Sequence, residues 1–177
     1  MVHAEGSVTT PKNTLIASCS CGSVQLEAIG APVASAVCYC DDCQEGARQI
    51  EALPGARPIQ DPDGGTAYLV FRKDRVECSK GASLLKRHKI REKSATNRVV
   101  ATCCSSAMLL DFDDGKHWVS AYRSRFKGDV PPLQMRFCTK FKREDVVVPS
   151  DVPSYSTYPL KFLMKLLGAR IAMLLRR

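Results

Sequence analysis

The sequence contains no stretch of about 20 uninterrupted apolar residues, the length a helix needs to cross a bilayer, so no transmembrane helix is expected. It opens MVHAEGSVTTPKN without the apolar core of a secretory leader, and the short run at 15–17 leads directly into cysteines. The expected setting is therefore the reducing cytoplasm, where clustered cysteines bind metal or react more often than they form bridges. Aromatic residues make up 7% of the chain and there is one tryptophan. No run of stacking aromatics and no groove-reading motif supports nucleic-acid recognition. No internal repeat is visible, and amphipathic helical patterning is scarce before the last residues.

Sulfur and positive charge are abundant. Nine cysteines in 177 residues fall short of a small disulfide scaffold, and the odd number excludes complete pairing within one chain. The formal charge of +8 is uneven: between Arg72 and Arg98 stand ten Lys or Arg against three acids. Such a field attracts anions, among them glutathione-like thiols, phosphates and nucleic acid, without choosing between them. Its bland reading is a solvated basic face.

The length fits one ordinary domain that can bury a core without staples. Residues 1–14 read as a polar tail broken by Pro11, residues 15–145 as a β-rich domain, and residues 146–177 as a Pro-containing linker and a C-terminal helix. Within the domain, LIASCSCGSVQLEAIG reads as strand, tight turn and strand, with Val24, Leu26 and Ala28 alternating against Gln25 and Glu27. SAVCYCDDCQEG reads as a short strand through 36–39 that enters a turn at Asp41 and Asp42, followed by about one helical turn. Strands are also expected over 67–72 and 76–79, in RVVATCC, in SAMLLDF and in KHWVSAY. ASLLKRHKIRE fits either a strand or a helical turn. Short strands with frequent turns argue for a mainly β domain. In the tail PLKFLMKLLGARIAMLLRR, Lys161, Lys165, Ala172 and Arg176 form a narrow stripe opposite Leu160, Leu163, Leu167, Ile171 and Leu174. This amphipathic helix is expected to cover the domain or to join a homodimer; peripheral membrane contact is the alternative.

The cysteines fall where strands end in turns. Cys38, Cys40 and Cys43 offer three soft ligands from one local turn, a set suited to zinc. Three protein ligands leave a coordination position for water or a substrate thiol, whereas a remote fourth ligand would make the site structural; Cys78, Cys104, Cys138, His88 and His117 are the candidates. A redox or disulfide role is the other reading of the triple. Cys19 and Cys21 need distant partners, and Cys103-Cys104 is the obvious source, although neighbours on an extended strand point to opposite faces. Both can face one ion only if the backbone kinks. The bland readings are core or pocket wall for Trp118, exposed or structural roles for His88 and His117, and small-residue packing for Cys138.

The order C-x-C-G at Cys19 to Gly22, C-x-C-x-x-C at Cys38 to Cys43, and a strand ending at Cys103 resembles the family of glutathione-dependent formaldehyde-activating enzymes, which includes the centromere protein V class. The resemblance runs over roughly residues 17–140 and implies a mainly β fold of the Mss4-like or β-tent type. It implies a structural zinc on Cys19, Cys21 and Cys103, and a catalytic zinc on Cys38, Cys40 and Cys43. The family's late F-C-x-x-C-G is replaced here by Thr102-Cys103-Cys104-Ser105-Ser106-Ala107, so that Ser106 stands in place of the fourth thiolate. A serine hydroxyl is a poor zinc ligand, and Cys104 can substitute only through a bend. The implied activity is that of a carbon–sulfur lyase of the S-(hydroxymethyl)glutathione synthase type, acting on glutathione or another small thiol. The alternative function is a zinc-stabilised interaction module whose 72–98 segment binds nucleic acid or another polyanion.

Overall fold

A computed structural model describes residues 13–175. The expected polar tail lies outside the described residues except for its last two positions. Among the described residues, ten strands form two sheets. The smaller joins β1 (Thr14–Ser18), β2 (Gln25–Ile29) and β5 (Val76–Lys80) in antiparallel order β1-β2-β5. The larger contains β3 (Ala34–Cys38), β4 (Thr66–Arg72), β6 (Leu85–His88), β7 (Thr96–Ala101), β8 (Ser106–Phe112), β9 (Trp118–Tyr122) and β10 (Met135–Phe137). Its order is β10-β3-β4-β9-β8-β7-β6, antiparallel except where β10 runs parallel to β3.

Strand β4 divides the interior. Because side chains alternate along a strand, Tyr68 and Val70 enter a core on one face of the large sheet, whereas Leu69 and Phe71 enter a second core on the other. The first core contains Cys38, Cys43 and Cys138; the second contains Cys19. Each sulfur-rich turn is therefore anchored in apolar packing at one end.

Two helices complete the fold, α1 (Asp41–Glu51) and α2 (Leu160–Leu174). Helix α1 is a difference from the sequence reading, which placed a turn and about one helical turn there. Its buried residues Cys43, Gly46, Ala47 and Ile50 follow the spacing of one helix face, and Asp41 and Asp42 favour its positive amino-terminal end. Helix α2 packs chiefly through Phe162 and Leu166, while Leu160, Leu163, Met164, Leu167, Ile171 and Leu174 are exposed. His117 holds it at one point, with Nε2 2.8 Å from the carbonyl oxygen of Leu166. The ambiguous 82–88 segment contains both alternatives, a 3-10 turn at Ala82–Leu84 followed by β6.

The turn that presents Cys19 and Cys21 is braced from β5. Lys80 Nζ donates to the carbonyl of Gly22 at 2.9 Å, and Gly81 lies against Ser23 with φ +74°. A Cβ at position 81 would sit 2.2 Å from the Ser23 carbonyl oxygen. Gly81→Ala is expected to cost about 2 kcal/mol from left-handed strain and this contact, read as a lower urea midpoint; an unchanged midpoint would show that the turn relaxes freely.

Candidate metal centres

The C-x-C turn meets the CCSS turn. Cys19 Sγ is 3.5 Å from Cys21 Sγ and 3.9 Å from Cys103 Sγ; Cys21 and Cys103 are 3.4 Å apart, and Cys103 and Cys104 are 3.8 Å apart. All four sulfurs lie within 4.8 Å of one another. Such spacings are too long for disulfides and close to the roughly 3.8 Å edge of a tetrahedron with 2.3 Å metal–sulfur bonds. The donor set therefore fits one soft ion.

Cys103 and Cys104 reach the same point because the backbone does not continue as a strand. β7 ends at Ala101, and the next turn carries Ser105 at φ +51°. This is the kink on which the sequence argument depended. Ser106 is not a spare ligand position but a fully buried hydroxyl that organises the site. Its Oγ accepts from the Ser20 backbone N–H at 3.0 Å, lies 2.9 Å from Ser20 Oγ and 3.2 Å from Cys104 Sγ, and is within 3.4 Å of Arg125 Nη1. The Cys21 thiol is lowered to about 6, first by Ser23 hydrogen bonds and then by Cys103. Cys104→Ala is expected to weaken metal retention at this cluster by more than the loss of a supporting group, because it removes one of four thiolates. Ser106→Ala should retain the stoichiometry while weakening affinity roughly 10–100-fold, as expected for a group supporting a ligand. Elemental analysis and chelator competition would distinguish these outcomes.

The second cluster is more interior. β3 delivers Cys38, Cys40 is the N-cap of α1, and Cys43 lies in its first turn. The three sulfurs lie within 4.8 Å of one another. Hydrogen bonds from Cys38 and then Cys43 lower the Cys40 thiol to about 3, and the nearby charge of Arg98 acts in the same direction. The amino terminus of α1 adds a positive partial charge. This local environment favours a thiolate, the form that binds metal.

Of the remote residues considered from sequence, Cys138 alone approaches this triple. It is buried at φ +59° in the same core as Cys38 and Cys43, but it does not join the compact three-sulfur group. Cys104 belongs to the other cluster. Cys78 Sγ instead contacts the Lys80 carbonyl at 3.2 Å, His88 Nε2 lies 2.8 Å from Gln49 Oε1, and His117 supports α2.

A cavity of about 330 Å³ opens onto Cys38, Cys40 and Cys43. Trp118 lines it, as expected for a pocket wall, and packs 5.7 Å from Phe112 between ring centroids. Phe162 and Leu166 bring α2 into the wall, a contribution hidden from sequence because it requires the chain end to return to β4. Arg98 also lines the cavity and is only 1% exposed. Its Nη2 donates to the Asp42 carbonyl, whereas Nε and Nη1 have no hydrogen-bond partner among the described residues. Gly46 makes room for this guanidinium: a Cβ there would lie 1.8 Å from Arg98 Nε.

Folding also disperses the basic segment. Arg72 pairs with Asp74, Arg87 with Asp111, Lys89 with Asp113 and Arg91 with Asp42, while Arg98 turns inward. No described helix is long and apolar enough to cross a membrane.

No curated protein matches this sequence significantly. A solved structure of a Rhodobacter sphaeroides protein is similar at 14% identity and a TM-score of 0.47, covering 78% of this chain and 98% of that one. The profile of the glutathione-dependent formaldehyde-activating enzyme family matches residues 14–53, the segment from β1 through α1 that carries Cys19, Cys21, Cys38, Cys40 and Cys43.

Proposed function

We propose that the protein is a zinc-dependent, carbon–sulfur lyase-like enzyme acting on glutathione and formaldehyde, or on a related thiol–aldehyde adduct. The observation that carries this reading is the cavity that reaches a compact group of three cysteines rather than four. Cys38, Cys40 and Cys43 are the proposed ligands of the catalytic ion, and Cys19, Cys21, Cys103 and Cys104 those of a structural ion joining the two turns. Zinc at the triple would lower a substrate thiol's pKa and orient the sulfur toward an aldehyde carbon. The cysteines serve as ligands rather than as covalent nucleophiles.

The chain's own contribution is to place these ligands at the start of α1, bury two of them and provide a largely apolar cavity beside them. Residues 15–145 would form the catalytic domain, with α2 completing the cavity wall. The alternative zinc-stabilised module for nucleic acid or another polyanion rests on the charge of residues 72–98. Exchange of formaldehyde with glutathione, followed against the uncatalysed background, tests the proposed reaction. Acceleration by the zinc-loaded protein is expected; none would reject the activity.

A further inference from the structure

We propose that the cavity beside Cys38, Cys40 and Cys43 accepts an aldehyde with an apolar substituent, or its thiol adduct. This inference rests on the thiol–aldehyde reading above and identifies the substrate class. Formaldehyde is little larger than a water molecule, whose share of liquid volume is about 30 Å³. The cavity is about 330 Å³ and is lined by Leu110, Phe112, Trp118, Phe137, Phe162 and Leu166. An aliphatic or aromatic substituent matches this wall, whereas the charged ends of glutathione do not. Of the charged lining residues, Asp42 pairs with Arg91 and Lys116 with Asp114 at the edge; Arg98 alone is buried.

When a thiolate adds to an aldehyde, the carbon–sulfur bond forms as the carbonyl π pair moves onto oxygen. The alkoxide then takes a proton from water; the proton originally lost by the thiol has gone to solvent. The product is a hemithioacetal, reached by addition without an external oxidant or reductant. In the reverse direction, the deprotonated oxygen reforms the carbonyl and expels the thiolate.

The protein's one tryptophan, Trp118, reports occupancy independently of turnover. Titration of the zinc-loaded protein with S-methylglutathione and S-hexylglutathione, followed by Trp118 fluorescence, is expected to give at least about 30-fold tighter binding of the hexyl compound, because each buried methylene contributes about fourfold. Equal affinities would overturn the apolar-substituent assignment. Accelerated formaldehyde exchange without preference for S-hexylglutathione would leave the proposed reaction standing and reject the substrate class. Strong preference without exchange of formaldehyde or hexanal would support the apolar ligand class and reject the reaction.

Discussion

Cys40→Ser is expected to reduce the zinc content of the fully loaded chain from two ions to one and to lower thiol–aldehyde exchange by about a thousandfold, more than the roughly 10–100-fold cost of losing a group behind a ligand. Cys40 is the N-cap of α1, and its thiol is held well below the usual range. Cys38 and Cys43 are the first causes of its thiolate character; Arg98 adds a favourable charge. Serine retains approximate size but replaces a soft anion with a neutral hydroxyl, leaving only two thiolates in the triple. The other four-sulfur cluster is built from Cys19, Cys21, Cys103 and Cys104 and should keep its ion. Cys78→Ser provides the contrast, because Cys78 lies outside both groups. Elemental analysis with exchange kinetics checks both effects; unchanged zinc content in Cys40→Ser would remove Cys40 from the ligand set.

The largest stability effect is expected at Arg136, not at a cysteine. Arg136 lies on β10 with its side chain 6% exposed, and joins three segments. Its Nη1 is 2.9 Å from Tyr39 Oη and 3.3 Å from Asp63 Oδ2, while Nε and Nη2 approach Asp151 at 3.0–3.2 Å. Tyr39 Oη also donates to Asp63 Oδ2 at 2.7 Å. Because Tyr39 separates Cys38 from Cys40, this network fixes the backbone that presents the triple. Arg136→Met would leave the nearly buried Asp63 charge without its cation, and is expected to cost about 3–5 kcal/mol. Asp63→Leu in the same chain should recover a substantial part by removing the orphaned carboxylate. Urea unfolding of both variants tests this argument; a loss below about 1 kcal/mol in Arg136→Met would mean that water or rearrangement satisfies Asp63.

Much of the fold was legible because the strands advertise themselves. Val24, Leu26 and Ala28 alternate against polar neighbours, and KHWVSAY and SAMLLDF carry compact β patterns. Helix α1 was harder to read because its inward face uses Gly46 and Ala47, small residues with a weak hydropathy signal. Gly46 also lowers helix propensity, a cost explained only when Arg98 is seen occupying the space above it. The sequence grouped Arg98 with a basic segment; a period-two strand turns it inward while several neighbours find acidic partners outside.

The cysteine groupings were legible from spacing and family resemblance, but the role of CCSS required the fold. Local sequence exposes the missing thiol at Ser106, whereas only the turn after β7 brings Cys104 to Cys103. Cys138 was one of five remote candidates in the sequence; the parallel pairing of β10 with β3, almost a hundred positions apart, is what brings it into the core beside Cys38.

A zinc-edge anomalous map of the metal-loaded protein, with a sulfur count at Cys38, Cys40 and Cys43, tests the central claim most directly. The expected result is one zinc bound by these three sulfurs at about 2.3 Å, with a fourth position held by an exchangeable ligand that a substrate thiol displaces. Cys138 bound as a permanent fourth sulfur, or no zinc at the triple, would contradict it.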